Sequence, residues 1–173
     1  LEEGLDPGPV AAMAAIDIGP EDTAGLLHDR LAVLGAGLLR EWLDAILDGS
    51  ARFVPQAAGG VSYAAKISKA EALIDWGADA VALDRRIRAF NPWPVAETRL
   101  DGLQLRCWLA RPLSTTGRVA PPGTVLATGP EGIDVQAGAG VLRLLRVQLA
   151  GRQQVAAGVF ANGFSLAGKV LGA

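Results

Sequence analysis

A chain of 173 residues, half hydrophobic and one-fifth charged, is long enough for one large or two small domains and apolar enough to bury a core. No apolar run approaches the roughly 20 residues needed to span a bilayer, and no secretory leader is visible. One cysteine, Cys107, excludes an internal disulfide and points to a reducing compartment, and one histidine, His28, excludes a His/Cys metal cluster. The net charge of −2 is unevenly divided: residues 1–78 carry 5 Lys/Arg and 12 Asp/Glu, residues 79–173 carry 11 and 6. A basic second half suits a polyanionic partner, and it suits a solvated basic face equally well.

The first residue is Leu1 rather than Met, and LEEGLDPGPV reads as a loop leaving something earlier. The expectation is a longer protein whose first part is not in this chain. Residues 10–18, VAAMAAIDI, read as a short strand of small and branched residues. Asp22 or Thr23 can cap the helix that follows. Leu27, Leu31, Leu34, Leu38, Trp42 and Ile46 recur at helical spacing, and Gly49 stands where a left-handed stop is cheap. Residues 50–67 read as a linker, with VSYAAKI briefly extended. Ser68 and Glu71 fit a capping box. A second helix is expected from about Asp79 to Phe90, burying Leu83, Ile87 and Phe90 and leaving Arg85, Arg86 and Arg88 mostly off that stripe. Asn91-Pro92 ends it.

After Pro94 the period becomes two. Leu103, Leu105, Cys107 and Leu109 alternate with Gln104, Arg106 and Trp108, and Asp101-Gly102 is a hairpin signal. GTVLAT, GIDVQA and GVLRLLRVQLA read as further strands, which together suggest a small closed β barrel. The tail is weakly helical around Val155–Phe164. The organisation expected is α+β: the end of an α/β domain over 1–49, a linker over 50–68, and an all-β domain over 69–173.

Ile74-Asp75-Trp76 and the run Ile87 to Pro94, IRAFNPWP, resemble the segment that leads into the C-terminal domain of the methionyl-tRNA formyltransferase family. GTVLAT, GIDVQAGAGVLRLLRVQLAGRQ and the upstream EEGLDPGPV are similar to other stretches of that family. The resemblance thus runs along almost the whole chain and is densest over 66–94. It implies a Rossmann-like formyltransferase domain, here only its end, followed by an OB-like antiparallel β barrel. It implies formyl transfer from 10-formyltetrahydrofolate to the amine of initiator methionyl-tRNA, in the cytoplasm, by a monomer without a metal or membrane. The family's Asn-x-His pair and Ser-Leu-Leu-Pro folate loop do not occur in this sequence, so the chain is expected to be inactive alone.

Asp6, in GLDPG, is the catalytic residue that the resemblance carries over. A carboxylate beside a histidine can orient it and help move the proton lost by the attacking amine. From the motif alone, Asp6 simply opens a Pro-Gly turn. Pro7 stands where the family more often has Thr, which removes a hydroxyl and an N–H. The same resemblance implies tRNA backbone contacts by some of Arg85, Arg86, Arg88, Arg106, Arg143 and Arg146, since phosphates require positive charge at suitable spacing. His28 is read as a helix-surface residue, Cys107 as a buried structural thiol, and Trp76 and Trp93 as packing residues. Trp108, on the polar side of its strand, stays open between packing and stacking. Two rival readings are a stand-alone tRNA-binding module and a folate-dependent formyltransferase of sugar nucleotides.

Overall fold

The computed structural model describes residues 8–57, 59–114 and 117–172. The chain divides into two compact units, Leu1–Lys66 and Ile67–Ala173.

The first unit is dominated by α1, Ala24–Leu47. Of the two candidate caps it is Thr23 that acts: its Oγ1 accepts from the backbone N–H of Leu26 at 3.2 Å. Asp22 instead braces the approach, accepting from the N–H of Gly19 at 2.7 Å and pairing with Arg30. Gly49 stops the helix at φ +78°, as its position suggests. The leucine stripe is only half covered: no residue of α1 is buried, Leu27, Leu34, Leu38 and Trp42 are half-buried, and Leu31 remains 45% exposed. The strand expected over 10–18 does not form. A strand needs a neighbour to satisfy its N–H and C=O groups. Among the described residues only Val54 supplies one, exchanging two backbone hydrogen bonds with Val10.

The second unit begins with a 3-10 turn, Lys69–Ala72. Its box closes as expected, the Ser68 N–H donating to Glu71 Oε1 at 2.7 Å. That bond, aided by the Ser68 hydroxyl, holds the Glu71 carboxyl below its usual range. Trp76 then sinks into the core, and its indole N–H donates to the buried Thr98 Oγ1 at 3.0 Å. Helix α2, Ala80–Ala89, is capped by Asp79, whose Oδ1 accepts from Val81 and Ala82. Leu83, Ile87 and Phe90 are all buried, each contributing about 1.5–3 kcal/mol of apolar burial.

After Phe90 both X-Pro bonds, Asn91-Pro92 and Trp93-Pro94, are cis. Val95 follows at φ +71°, a costly conformation for a β-branched residue. It is fixed by a 2.9 Å bond from its N–H to the Phe90 carbonyl and by burial of its side chain. Strands β1, Ala96–Leu100, and β2, Leu103–Leu113, form the expected hairpin, with Asp101 and Gly102 both at positive φ. Strands β3, Val125–Gly129, β4, Gly132–Gln136, and β5, Val141–Leu149, complete an antiparallel sheet in the order β1-β2-β5-β4-β3. The two-residue β6, Val155–Ala156, pairs with β5 and runs straight into α3, Ala157–Asn162.

The sheet does not close as the expected barrel would. No ladder joins β1 to β3 among the described residues. The C-terminal segment crosses that gap instead. Val170 bridges Thr124, the carbonyl of Lys169 accepts from Val125, and the N–H of Gly172 donates to the Arg99 carbonyl of β1 at 2.9 Å. Irregular backbone thus supplies hydrogen bonds at both edges.

The alternation expected along β2 also holds only in part. Leu105 and Cys107 are buried, but Leu103 and Leu109 are exposed and Ala110 faces the core. Register shifts on either side of Leu109 reverse the pleat there. Beneath the sheet, Ile87, Leu105, Ile133, Leu142, Leu144 and Val147 form one continuous core. One close approach fixes the start of α2. The Gly138 N–H donates to the Ala78 carbonyl at 2.9 Å, and a Cβ at this position would lie 1.8 Å from the Gly77 oxygen.

Candidate nucleic-acid interface

The expected site residues separate by how much of each guanidinium is already taken. Arg143 lies on β5 opposite Asp134 of β4. Its Nε and terminal nitrogen donate to the two carboxylate oxygens at 2.6 and 2.8 Å, so its fork is filled. This pairing pushes the Arg143 pKa further up. Arg88 pairs with Asp84 one helical turn away, 3.1 Å from Nε to carboxylate. Arg86 donates to the Glu71 carbonyl and lies 5.3 Å from the centre of the Phe90 ring, a cation–π contact. These three arginines hold the fold together as much as they present charge.

Arg85, Arg106 and Arg146 differ. Arg85 and Arg146 are exposed, and no ion pair holds either among the described residues. Arg106 stands between the buried Leu105 and Cys107, and so projects from the outer face of the sheet. Its cross-strand neighbour on β1 is Glu97, the natural counter-charge. That carboxylate accepts instead from the Gln104 amide. Among the described residues Arg106 makes no ion pair, and its buried Nε, like that of Arg86, has no hydrogen-bond partner.

Opposite Arg106 on β5 is Gln148, whose amide oxygen accepts from the Trp108 indole N–H at 3.0 Å and whose NH2 donates to the Arg152 carbonyl at 2.9 Å. The backbone of Trp108 is fixed as well, its carbonyl accepting from the Asn91 amide at 2.8 Å. Gln104, Arg106, Gln148 and the turn at Ala150-Gly151 enclose a small open cleft of about 150 Å³.

Trp93 departs from its expected role. It is 51% exposed rather than packed, because Phe90 and Val95 on either side fill the core at this corner. Cys107 is fully buried, and burial pushes its thiol up to about 12, which removes it as a nucleophile at neutral pH. His28 sits on the surface of α1, 3.4 Å from Asp29. Asp6 lies outside the described residues. The hollow of about 430 Å³ in the first unit, lined by Val10, Met13, Pro55 and Gln56 among others, has no titratable side chain in its walls. Among the described residues no three His, Cys, Asp or Glu gather as a metal site, and no helix is long and apolar enough to cross a membrane.

Sequence reasoning missed the Gln104–Glu97 and Trp108–Gln148 bonds. The signal for the second was present: a tryptophan on the polar side of an alternating strand. Its partner, 40 residues away, depends on register.

Residues 66–165 match the family model described as formyl transferase, C-terminal domain. The chain is 46% identical over 164 residues to the methionyl-tRNA formyltransferase of Aromatoleum aromaticum, covering 95% of this chain and 51% of that protein. It is 46% identical over 172 residues to the methionyl-tRNA formyltransferase of Methylococcus capsulatus, covering 99% and 55%. It therefore spans about half the length of the curated relatives it matches. Among solved structures, HypX from Aquifex aeolicus in complex with tetrahydrofolic acid superposes with a TM-score of 0.71 at 17% identity, covering 97% of this chain and 30% of that one. With the match over 66–165 falling on the whole sheet and both α-helices of the second unit, the chain belongs to the formyl transferase C-terminal domain family.

Proposed function

We propose that this chain is the C-terminal portion of a methionyl-tRNA formyltransferase, and that its second unit, an OB-like sheet whose open side is spanned by its own C-terminal segment, holds initiator methionyl-tRNA. The observation that carries the reading is the match to methionyl-tRNA formyltransferases along 95% or more of the chain. In the whole enzyme the formyl donor is 10-formyltetrahydrofolate, and the residues that bind it belong to the half of the relatives that this chain does not span. Residues 1–49 are the end of the Rossmann-like catalytic domain and 50–68 the linker. Asp6 is the one catalytic group the chain supplies, orienting a histidine that takes the proton from the attacking amine. The enzyme works as a cytoplasmic monomer.

The tRNA contacts are assigned first to Arg85, Arg106 and Arg146, whose charge is least neutralised within the fold. Arg86, Arg88 and Arg143 add to the local potential from behind their own partners. Three neutralised phosphates should lower affinity about 40-fold between 50 and 200 mM salt. The test is filter binding of initiator tRNA by the 173-residue chain across that range. Steep loss of affinity is expected; no binding at 50 mM salt would overturn the reading. A formylation assay of the same chain with 10-formyltetrahydrofolate and charged tRNA should show no turnover, because catalytic groups that act as a unit fail together.

A further inference from the structure

We infer that the outer face of the β2–β5 pair carries a stacking site for one unpaired nucleotide, with Trp108 as its platform and Arg106 and Arg146 as its cations. The inference rests on the tRNA reading above and narrows it: this face takes a single-stranded element of the RNA, not duplex backbone alone.

Four observations converge on it. Trp108 alternates outward from the buried Cys107, and the register shifts that follow it turn Leu109 outward as well, leaving the half-buried Trp108 on the outer face. The indole is held through its N–H to Gln148, and the backbone that carries it is held by the Asn91 amide. A ring that ordered loses little further freedom when a base stacks on it. Arg106 is directly opposite Gln148, and Arg146 is two residues before Gln148 on the same face, opposite Leu109. The two cations therefore bracket the indole along the strands. Lastly, the Glu97 carboxylate across from Arg106 accepts from Gln104 and makes no ion pair with Arg106, which leaves the guanidinium able to donate to a phosphate. Arg143, on the same face, is neutralised by Asp134. One arginine is closed and the other left open, as a phosphate flanking a stacked base requires. Every base offers a π-face, so the site would select for an unstacked nucleotide rather than for a particular sequence.

The test uses the 173-residue chain and three RNAs: initiator tRNA, a single-stranded oligouridylate, and a blunt RNA duplex. Trp108→Ala should weaken oligouridylate and tRNA binding about tenfold and duplex binding less than twofold. Arg106→Gln should weaken all three, because it removes charge. Arg40→Gln, on α1 in the first unit, should leave them within twofold. Trp108→Phe should retain most of the affinity, which also separates loss of stacking from loss of fold. If Trp108→Ala fails to fold, quenching by oligouridylate carries the test: the wild type should lose emission on binding and folded Trp108→Phe should lose markedly less. If tRNA binds well and Trp108→Ala changes nothing, this inference fails and the proposed function stands. If tRNA does not bind the wild type at any salt, the proposed function fails.

Discussion

Helix α1 and helix α2 are both amphipathic, and they end differently. The stripe of α1 carries six large apolar residues between Leu27 and Ile46, yet none of its residues is buried. The shorter stripe of α2, Leu83, Ile87 and Phe90, is buried throughout, because β2 and β5 lie against it. Periodicity states which side of a helix seeks cover. Only long-range pairing decides whether cover exists, and in the second unit the paired strands of the sheet supply it. The stability of the chain should therefore be concentrated in Ile67–Ala173.

The largest expected break of this contrast is a core truncation. Ile87→Ala should destabilise the second unit by about 4 kcal/mol, through lost burial and a cavity beneath the sheet. Leu38→Ala in α1, which empties no core, should cost under about 1 kcal/mol. Urea denaturation followed by the emission of the buried Trp76 measures the first, and the helical circular dichroism band measures the second.

A close backbone approach sharpens the contrast in a second way. Gly138→Ala forces a methyl against the Gly77 backbone and should cost about 3 kcal/mol, since no flexible side chain can yield. The same urea titration would show it as a lowered midpoint.

Next comes Cys107. Its thiol is held up to about 12 in the fold against an ordinary value of 9.0. A raised folded value means its stabilising contribution is complete below about pH 9 and lost as pH rises toward 12. The slope should approach about 1.4 kcal/mol per pH unit in that window and disappear in Cys107→Ala. At pH 8 a disulfide reagent should modify Cys107 only as fast as the second unit opens. Fast modification of folded protein would show that solvent reaches the core beneath the sheet.

The smallest effect has the opposite sign. Gly35 is in mid-helix, and an alanine methyl there would meet no atom within 4 Å, so Gly35→Ala should stabilise α1 by about 0.5–1 kcal/mol. Circular dichroism of the helical band through a thermal ramp would detect it.

Much of the second unit is legible in the sequence for physical reasons. Local signals with a steric or hydrogen-bonding basis survive into the structure: the Ser68–Glu71 box, the Asp79–Phe90 helix with its buried Leu83-Ile87-Phe90 side, and the Asp101-Gly102 hairpin. The stop at Gly49 in the first unit is of the same kind. The strands expected at GTVLAT, GIDVQA and GVLRLLRVQLA form, but their closure and exact register, which depend on distant partners, do not follow the expectation. The strand over 10–18 lacks a neighbour, the expected barrel stays an open sheet whose gap is crossed by a tail, and the bulge at Leu109 reverses the pleat. The candidate interface shows the same division. Counting arginines marks the basic second half of the chain, but which of them are paired depends on Asp134, Asp84 and Gln104, whose positions are set by register and helix phase. The large area of a tryptophan usually seeks burial, but at Trp93 the neighbouring Phe90 and Val95 already fill the corner.

The most direct measurement is hydrogen exchange of the 173-residue chain with and without initiator tRNA. Amides of β2, β5 and α2 should be protected in the free chain while those of α1 exchange readily, and tRNA should add protection over residues 104–111 and 143–152 with α1 unchanged. A footprint confined to α1, or protection of α1 equal to that of β5 in the free chain, would contradict the account.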